Sequence, residues 1–275
     1  MSLGDMWFRR EATWLAPAAI AIGALLGLPA QAATCTAKSG AQTVALVELY
    51  TSEGCDSCPP ADRWLSSNFP ASGAGNAAIA LAFHVDYWDR LGWKDRFAAP
   101  AWTERQYALA RASRTELVYT PQVLVQGRDY PDWRGRGVEA LVARTGGKPA
   151  RARVTLEVEP RPGAIAVKAS AHVESGGDRN GAALYVALAD SGLVSEVKAG
   201  ENAGARLTHD HVVRALRGGI SVNDKGDAIA DVTLSLPSEA GRATTIVAFV
   251  QNKETGDVLQ ALALPFAGAA CSPPR

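Results

Sequence analysis

The sequence predicts an α/β layer around a central sheet in its first half and an antiparallel β-sandwich in its second half. In the first half, apolar runs typical of buried strands alternate with segments of helical period. From residue 153 onward, apolar residues instead recur with a period of two. The linker GGKPAR, 146–151, separates the two patterns. We therefore expect an α/β domain over 40–147 and a β-sandwich domain over 152–270.

The N-terminal segment 1–32 has the pattern of an export signal. The basic pair Arg9 and Arg10 precedes an apolar run over 14–28, and Ala-Gln-Ala ends at Ala32. The run is short for a membrane-spanning helix, which needs about 20 residues. An uncleaved anchor is the alternative. We expect cleavage after Ala32 and a periplasmic or secreted protein without stable membrane insertion.

Four cysteines occur in the chain, and an oxidising compartment favours their pairing. Four cysteines allow three connectivities. The close spacing of Cys55 and Cys58 favours a bond between those two, which leaves Cys35 for Cys271. We expect Cys35–Cys271 to be a structural disulfide and Cys55–Cys58 to be the working pair.

The motif C-D-S-C, 55–58, follows the predicted buried strand 43–50 and opens a helix that has two prolines in its first turn. A helix N-terminus stabilises a thiolate, and the thiolate is the attacking species in thiol–disulfide exchange. We expect Cys55 to attack and Cys58 to resolve the mixed disulfide. An inert structural disulfide is the alternative.

Two further residues are predicted to act with the dithiol. Pro121 follows Thr120 and begins a predicted strand, where a cis peptide bond would present a backbone edge to an extended substrate. An ordinary trans proline is the alternative. Glu48 lies within the first buried strand, where burial would raise its pKa and suit it to relay a proton. A partly solvated Glu48 is the alternative.

An aromatic insertion, 84–102, follows the second predicted strand at the sheet edge where open α/β sheets bind ligands. The alternative is a lid whose aromatic side chains pack onto the second domain. The residues expected to contact a peptide substrate are His84, Tyr87, Trp88, Trp93 and Thr120.

The sequence gives little indication of a metal, phosphate or nucleic-acid binding site. No second C-x-x-C or His-x3-His is present for structural zinc, and no Gly-rich phosphate loop or acidic metal cluster is visible. We therefore expect no cofactor and no metal, although Cys55, Cys58 and His84 form an alternative copper(I) set. Acidic and basic residues balance at 28 each, which predicts no nucleic-acid partner. The segment HDHVVRAL, 209–216, predicts a helical turn.

These motifs resemble one family. VELYTSEGCDSCPPADRWL, AFHVDYWDRLGWKDRF and VYTPQVLVQGR are similar to an exported bacterial thioredoxin-like family catalogued as domain of unknown function 1223. The similarity extends to GARLTHDHVVRAL and IVAFVQNKETGDVLQALALPF. It implies a thioredoxin-like fold over 40–147 with Cys55, Cys58 and Pro121 at matching positions, and no established activity. Asp-Ser in place of Gly-Pro between the cysteines departs from thioredoxin itself, as do the two following prolines and the long insertion.

The predicted function is thiol–disulfide exchange with another exported protein or a redox partner protein. Two alternatives belong to other classes. The first is copper(I) handling, and the second is a non-catalytic binding module in which the aromatic insertion holds a ligand.

Overall fold

The computed structural model describes residues 34–71, 78–239, 243–267 and 270–271. The predicted signal over 1–32 lies outside these residues. Within the described part of the chain, no helix is long and apolar enough to cross a membrane. The described residues belong to one compact unit.

Strands and helices alternate through the first half of the chain, as the sequence predicts. Two short 3-10 helices, Asp89–Leu91 and Pro131–Arg134, also occur there. The regular elements are β1 (Cys35–Lys38), β2 (Ala45–Thr51), α1 (Pro59–Asn68), β3 (Ala78–His84), α2 (Pro100–Ala112), β4 (Gln122–Val125), β5 (Arg128–Asp129) and α3 (Val138–Gly146).

The second half is almost entirely strand. Its elements are β6 (Arg153–Arg161), β7 (Ala164–His172), α4 (Gly176–Arg179), β8 (Ala182–Ser191), β9 (Leu193–Glu196), β10 (Arg206–His209), β11 (Val212–Ser221), β12 (Asp227–Ser235), β13 (Ala243–Asn252), β14 (Val258–Ala267) and β15 (Ala270–Cys271). The helical turn predicted over 209–216 is wrong. His209 ends β10, and the residues from Val212 onward pair with β8, which satisfies their backbone groups in a ladder instead.

One nine-stranded mixed sheet contains strands from both halves, in the order β15-β14-β13-β8-β11-β3-β2-β4-β5. β2 and β3 are parallel, whereas β4 is antiparallel to β2. The two halves meet where β11 runs parallel to β3, with Val212 opposite Ala82. At this junction the N–H of Ala82 donates to the carbonyl oxygen of His211 at 2.8 Å. The segments predicted as separate domains therefore share a sheet.

A second sheet, in the order β1-β6-β7-β12, lies across an apolar core from β8, β13 and β14. Burial alternates along β6 as the period of two predicts. In the first half, β2 is buried on both faces, as its apolar run predicts. Leu46 and Tyr50 pack with Trp102 of α2, and Val47 and Leu49 pack with α1 and α3. The chain thus has a mostly-β α/β fold.

Candidate active site at the dithiol

A disulfide joins Cys55 to Cys58 with their Cα atoms 5.4 Å apart, as their spacing predicts. Cys58 is the N-cap of α1, and its carbonyl oxygen accepts the N–H groups of Ala61 and Asp62 at 2.8 and 3.1 Å. Both cysteines are fully buried. A partner sulfur therefore has no direct path to this disulfide in the conformation described.

The predicted Cys35–Cys271 disulfide lies partly outside the described residues. Cys35 lies in β1 and is buried. The side chain of Cys271 lies outside the described part of the chain, so this pairing stays a prediction.

Two hydroxyl groups contact the sulfur of Cys55. The Thr120 hydroxyl donates to Sγ at 3.5 Å, and Ser57 Oγ lies 3.4 Å from the same atom. Trp88 Nε1 in turn donates to Thr120 Oγ1 at 2.7 Å. The Thr120–Pro121 peptide bond is cis. The structure thus brings Thr120 and Trp88 to the dithiol, and Pro121 directly follows Thr120 in the chain.

The segment between β9 and β10 also contacts the loop that carries the dithiol. Asn202 Nδ2 donates to the carbonyl oxygens of Glu53 and Cys55, both at 2.9 Å. The N–H of Asp56 donates to Glu201 Oε2 at 3.2 Å. No local sequence pattern links Glu201 or Asn202 to a motif about 145 residues earlier, so neither residue was predicted as part of the site.

Five ionisable side chains lie buried together beside the dithiol loop, and we call them the acid–histidine cluster: Glu53, Asp62, His84, Asp95 and His209. His84 Nδ1 lies 2.6 Å from Asp95 Oδ2. His209 Nε2 lies 3.3 Å from Glu53 Oε1, and its Nδ1 lies 4.0 Å from Asp62 Oδ2. The two imidazole rings meet edge to face with their centroids 5.0 Å apart.

Contacts within the cluster shift the pKa values of its members. Burial alone lowers the pKa of His84, but the charge and hydrogen bond of Asp95 outweigh burial and raise it above its ordinary value. Burial raises the pKa of Asp95, but His84 and the N–H groups of Glu53 and Phe97 bring it below its ordinary value. Burial also raises the pKa of Asp62, and the two histidines offset only part of that rise. The cluster therefore favours an ionised His84–Asp95 pair.

Glu53 connects this cluster to the aromatic insertion. Trp93 Nε1 donates to Glu53 Oε2 at 2.7 Å. Burial raises the pKa of Glu53, but the nearby His209 and Ser195 and the hydrogen bond from Trp93 bring it below its ordinary value. Trp93, predicted to contact substrate, thus bonds to a buried carboxylate of the chain itself.

His84 and Tyr87 are likewise bonded inside the protein. His84 is 1% exposed and bonds to Asp95. The hydroxyl of Tyr87 donates to Gln106 Oε1 at 3.3 Å, and burial raises the pKa of Tyr87 to about 12. Of the five predicted contact residues, Trp88 and Thr120 are those that lead to the dithiol through described hydrogen bonds.

Glu48 is fully buried, but its described hydrogen bonds lead to Arg105 and not to either cysteine. Arg105 Nε and Nη2 donate to Glu48 Oε1 at 2.9 and 2.6 Å, and Nη2 also reaches Gln251 Oε1 at 2.8 Å. Burial alone lowers the pKa of Arg105, but Glu48 raises it above its already high value. Glu48 is therefore the partner of a buried arginine that also contacts β13.

No metal site is apparent among the residues that the structure describes. Within them, no three His, Cys, Asp or Glu side chains are grouped so as to hold a metal ion. The copper(I) set of Cys55, Cys58 and His84 is therefore not assembled in the disulfide form.

Comparisons with known proteins agree with this architecture. A family model described as "Protein of unknown function (DUF1223)" matches residues 46–251. The X-ray crystal structure of protein AGR_C_4864 from Agrobacterium tumefaciens is similar, with 26% identity and a TM-score of 0.54, covering 82% of this chain and 95% of that one. HBP35 of Porphyromonas gingivalis shares the fold at 14% identity and a TM-score of 0.60, covering 85% and 78%. Among curated proteins, none matches the chain.

Proposed function

The chain belongs to the DUF1223 family, and from the surroundings of its dithiol we propose that it is an exported thiol–disulfide oxidoreductase that acts on another exported protein. The observation that carries the proposal is the disulfide at the start of α1, with Thr120 bonded to the sulfur of Cys55.

The topology of the first half supports a thioredoxin-like fold over 40–147. The four strands described there have the order β3-β2-β4-β5. β2 and β3 are parallel, β4 is antiparallel to β2, and β5 is antiparallel to β4. The dithiol follows β2, and Pro121 immediately precedes β4. Two facing sheets in the second half support a β-sandwich over 152–270, which shares the nine-stranded sheet.

The proposed reaction proceeds through a mixed disulfide. Once the loop that buries Cys55 has moved aside, a thiolate of the partner attacks Cys55 Sγ and forms a new S–S bond. The Cys55–Cys58 bond breaks, and its electron pair leaves on Cys58 as a thiolate. A second partner thiolate then attacks the partner's sulfur in the mixed disulfide and releases Cys55, so the partner is oxidised and the dithiol reduced. In reverse, the Cys55 thiolate attacks a partner disulfide and Cys58 resolves the product.

The reduction potential of Cys55–Cys58, measured on the mature protein in glutathione buffers, tests the proposal. We expect a value between about −120 and −270 mV, the range of working exchange proteins. Insulin reduction should occur with the wild type and not with Cys55→Ser. A potential below about −300 mV would mark a structural disulfide and exclude the proposed reaction.

A non-catalytic binding module is the second candidate, because both cysteines are fully buried. In that case the dithiol only stabilises the loop. Cys55→Ser would then leave ligand binding intact, whereas the exchange proposal requires it to abolish activity.

A further inference from the structure

The start of α1 offers a thiolate few backbone donors. Its first two positions are Pro59 and Pro60, which carry no N–H. The next two N–H groups, those of Ala61 and Asp62, bond to the carbonyl oxygen of Cys58. A helix start usually lowers a cysteine pKa partly through free N–H groups. A Cys55 thiolate therefore needs hydrogen-bond donors other than the backbone N–H groups of α1.

The acidic side chains around the dithiol also disfavour a thiolate at Cys55. Acidic side chains oppose the formation of a further negative charge. Asp56 lies between the cysteines, and Glu201 accepts the Asp56 N–H. The remaining ionisable groups packed beside this loop are Glu53, Asp62, His84, Asp95, His209 and Tyr87.

Hydroxyl groups are the described donors that reach Cys55 Sγ, and the Thr120 hydroxyl is held by a tryptophan. The indole N–H of Trp88 can only donate, so at 2.7 Å it must bond to a lone pair of Thr120 Oγ1. The hydroxyl hydrogen of Thr120 can then point at Cys55 Sγ, 3.5 Å away. The neutral oxygen of Tyr87 also interacts with Thr120, but a Cys55 thiolate is the stronger acceptor because it is charged. Gly54 lets Trp88 approach, because a Cβ at this glycine would lie 3.1 Å from Trp88 Cβ.

We propose that Trp88 is a positioning residue that orients the Thr120 hydroxyl toward Cys55 and so stabilises the Cys55 thiolate. The inference concerns the pKa of Cys55, and it rests on the proposed function only for the reaction in which the thiolate is used. A disulfide sulfur is a weak acceptor, whereas the thiolate present after reduction accepts a charge-assisted bond. Donation to the charged form lowers the pKa of the thiol. Trp88 and Thr120 therefore set the fraction of Cys55 that is ready to attack a partner disulfide.

The test is the pH profile of alkylation of the reduced protein by iodoacetamide, with Cys55 followed by peptide mass mapping. In Thr120→Val, we expect the midpoint to rise, so that the rate well below the midpoint falls by about three- to tenfold. The rate at high pH, where Cys55 is fully ionised, should stay near that of wild type. Thr120→Ser keeps the hydroxyl and should retain the wild-type midpoint. Thr36→Val, on an exposed position of β1, is the matched remote control.

Trp88→Phe should move the midpoint in the same direction by a smaller amount. The double variant Trp88→Phe/Thr120→Val should show no larger shift than Thr120→Val alone, because Trp88 acts through Thr120. Additive shifts, or an unchanged midpoint in Thr120→Val, would overturn the inference. Alkylation needs no protein partner, whereas insulin reduction does. A wild type that reduces no insulin but keeps the Thr120-dependent profile would reject the proposed function alone.

Discussion

The side-chain amide of Asn202 lies 2.9 Å from the carbonyl oxygen of Cys55, although 147 residues separate the two along the chain. The same amide also holds the carbonyl oxygen of Glu53 at 2.9 Å. The second half of the chain thereby holds in place the loop on which the proposed chemistry depends.

Asn202→Ala removes both of these bonds, so we expect the free energy of unfolding to fall by about 1–3 kcal/mol. The disulfide should also be reduced faster by dithiothreitol, because its loop is less tightly held. Urea unfolding and the reduction rate measure the two effects. Lys198→Ala, an exposed change in the same segment, is the control. Equal behaviour of the two variants would contradict the prediction.

Breaking the ion pair between Glu48 and Arg105 should be costly, because it leaves a charge buried without its partner. Arg105→Met is expected to lower the free energy of unfolding by about 3–5 kcal/mol. The double variant Glu48→Leu/Arg105→Met removes both charges and should regain much of that loss. Denaturant unfolding of the three proteins checks this, and a double variant less stable than Arg105→Met would argue against it.

The His84–Asp95 pair predicts a pH-dependent part of stability. Because the pKa of His84 is raised on folding, its contribution is complete below its unfolded pKa of about 6.5 and is lost as the pH rises through the folded value. Because the pKa of Asp95 is lowered, its contribution is present above about pH 4 and is lost as the pH falls through the folded value. The pair should therefore stabilise most between about pH 4 and 6.5.

Asp95→Asn should accordingly cost about 2 kcal/mol near pH 5, and less at pH 9. Urea unfolding at several pH values measures the difference. The pair of His172 and Asp227 is the matched control, because its atoms are also 2.6 Å apart but its side chains are 31% and 48% exposed. Asp227→Asn should cost less than about 1 kcal/mol. A cost for Asp95→Asn that grows with pH would contradict the assigned directions.

Gly127 allows the turn after β4 to approach the turn between β13 and β14. A Cβ at Gly127 would lie 1.9 Å from the carbonyl oxygen of Gly256, and the φ angle of Gly127 is +75°. Gly163 has a similar φ of +67° but open space around it. Gly127→Ala should therefore destabilise by at least ~2 kcal/mol more than Gly163→Ala in denaturant unfolding. Equal losses of stability in the two variants would contradict the prediction, because they would mean that the two turns move apart without cost to admit the added methyl group.

Features encoded in short segments could be predicted from the sequence. The apolar run of β2, the dithiol at the start of α1, and the alternation along β6 all follow from local periodicity and from the chemistry of proline and cysteine. Each depends on neighbours a few residues away, which the sequence displays directly. The family resemblance added the expectation of a thioredoxin-like fold, with Cys55, Cys58 and Pro121 at matching positions.

Tertiary structure decided the partners of those residues. The sequence could not show that Glu48 pairs with Arg105, or that His209 belongs to a strand and joins Glu53 in a buried cluster. It likewise could not place β11 beside β3, or Asn202 on the dithiol loop. These contacts join segments far apart in the chain, and side-chain type alone does not specify which distant donor reaches which acceptor. Local sequence thus determined that a disulfide lies at the start of α1, and long-range packing decided which side chains surround it.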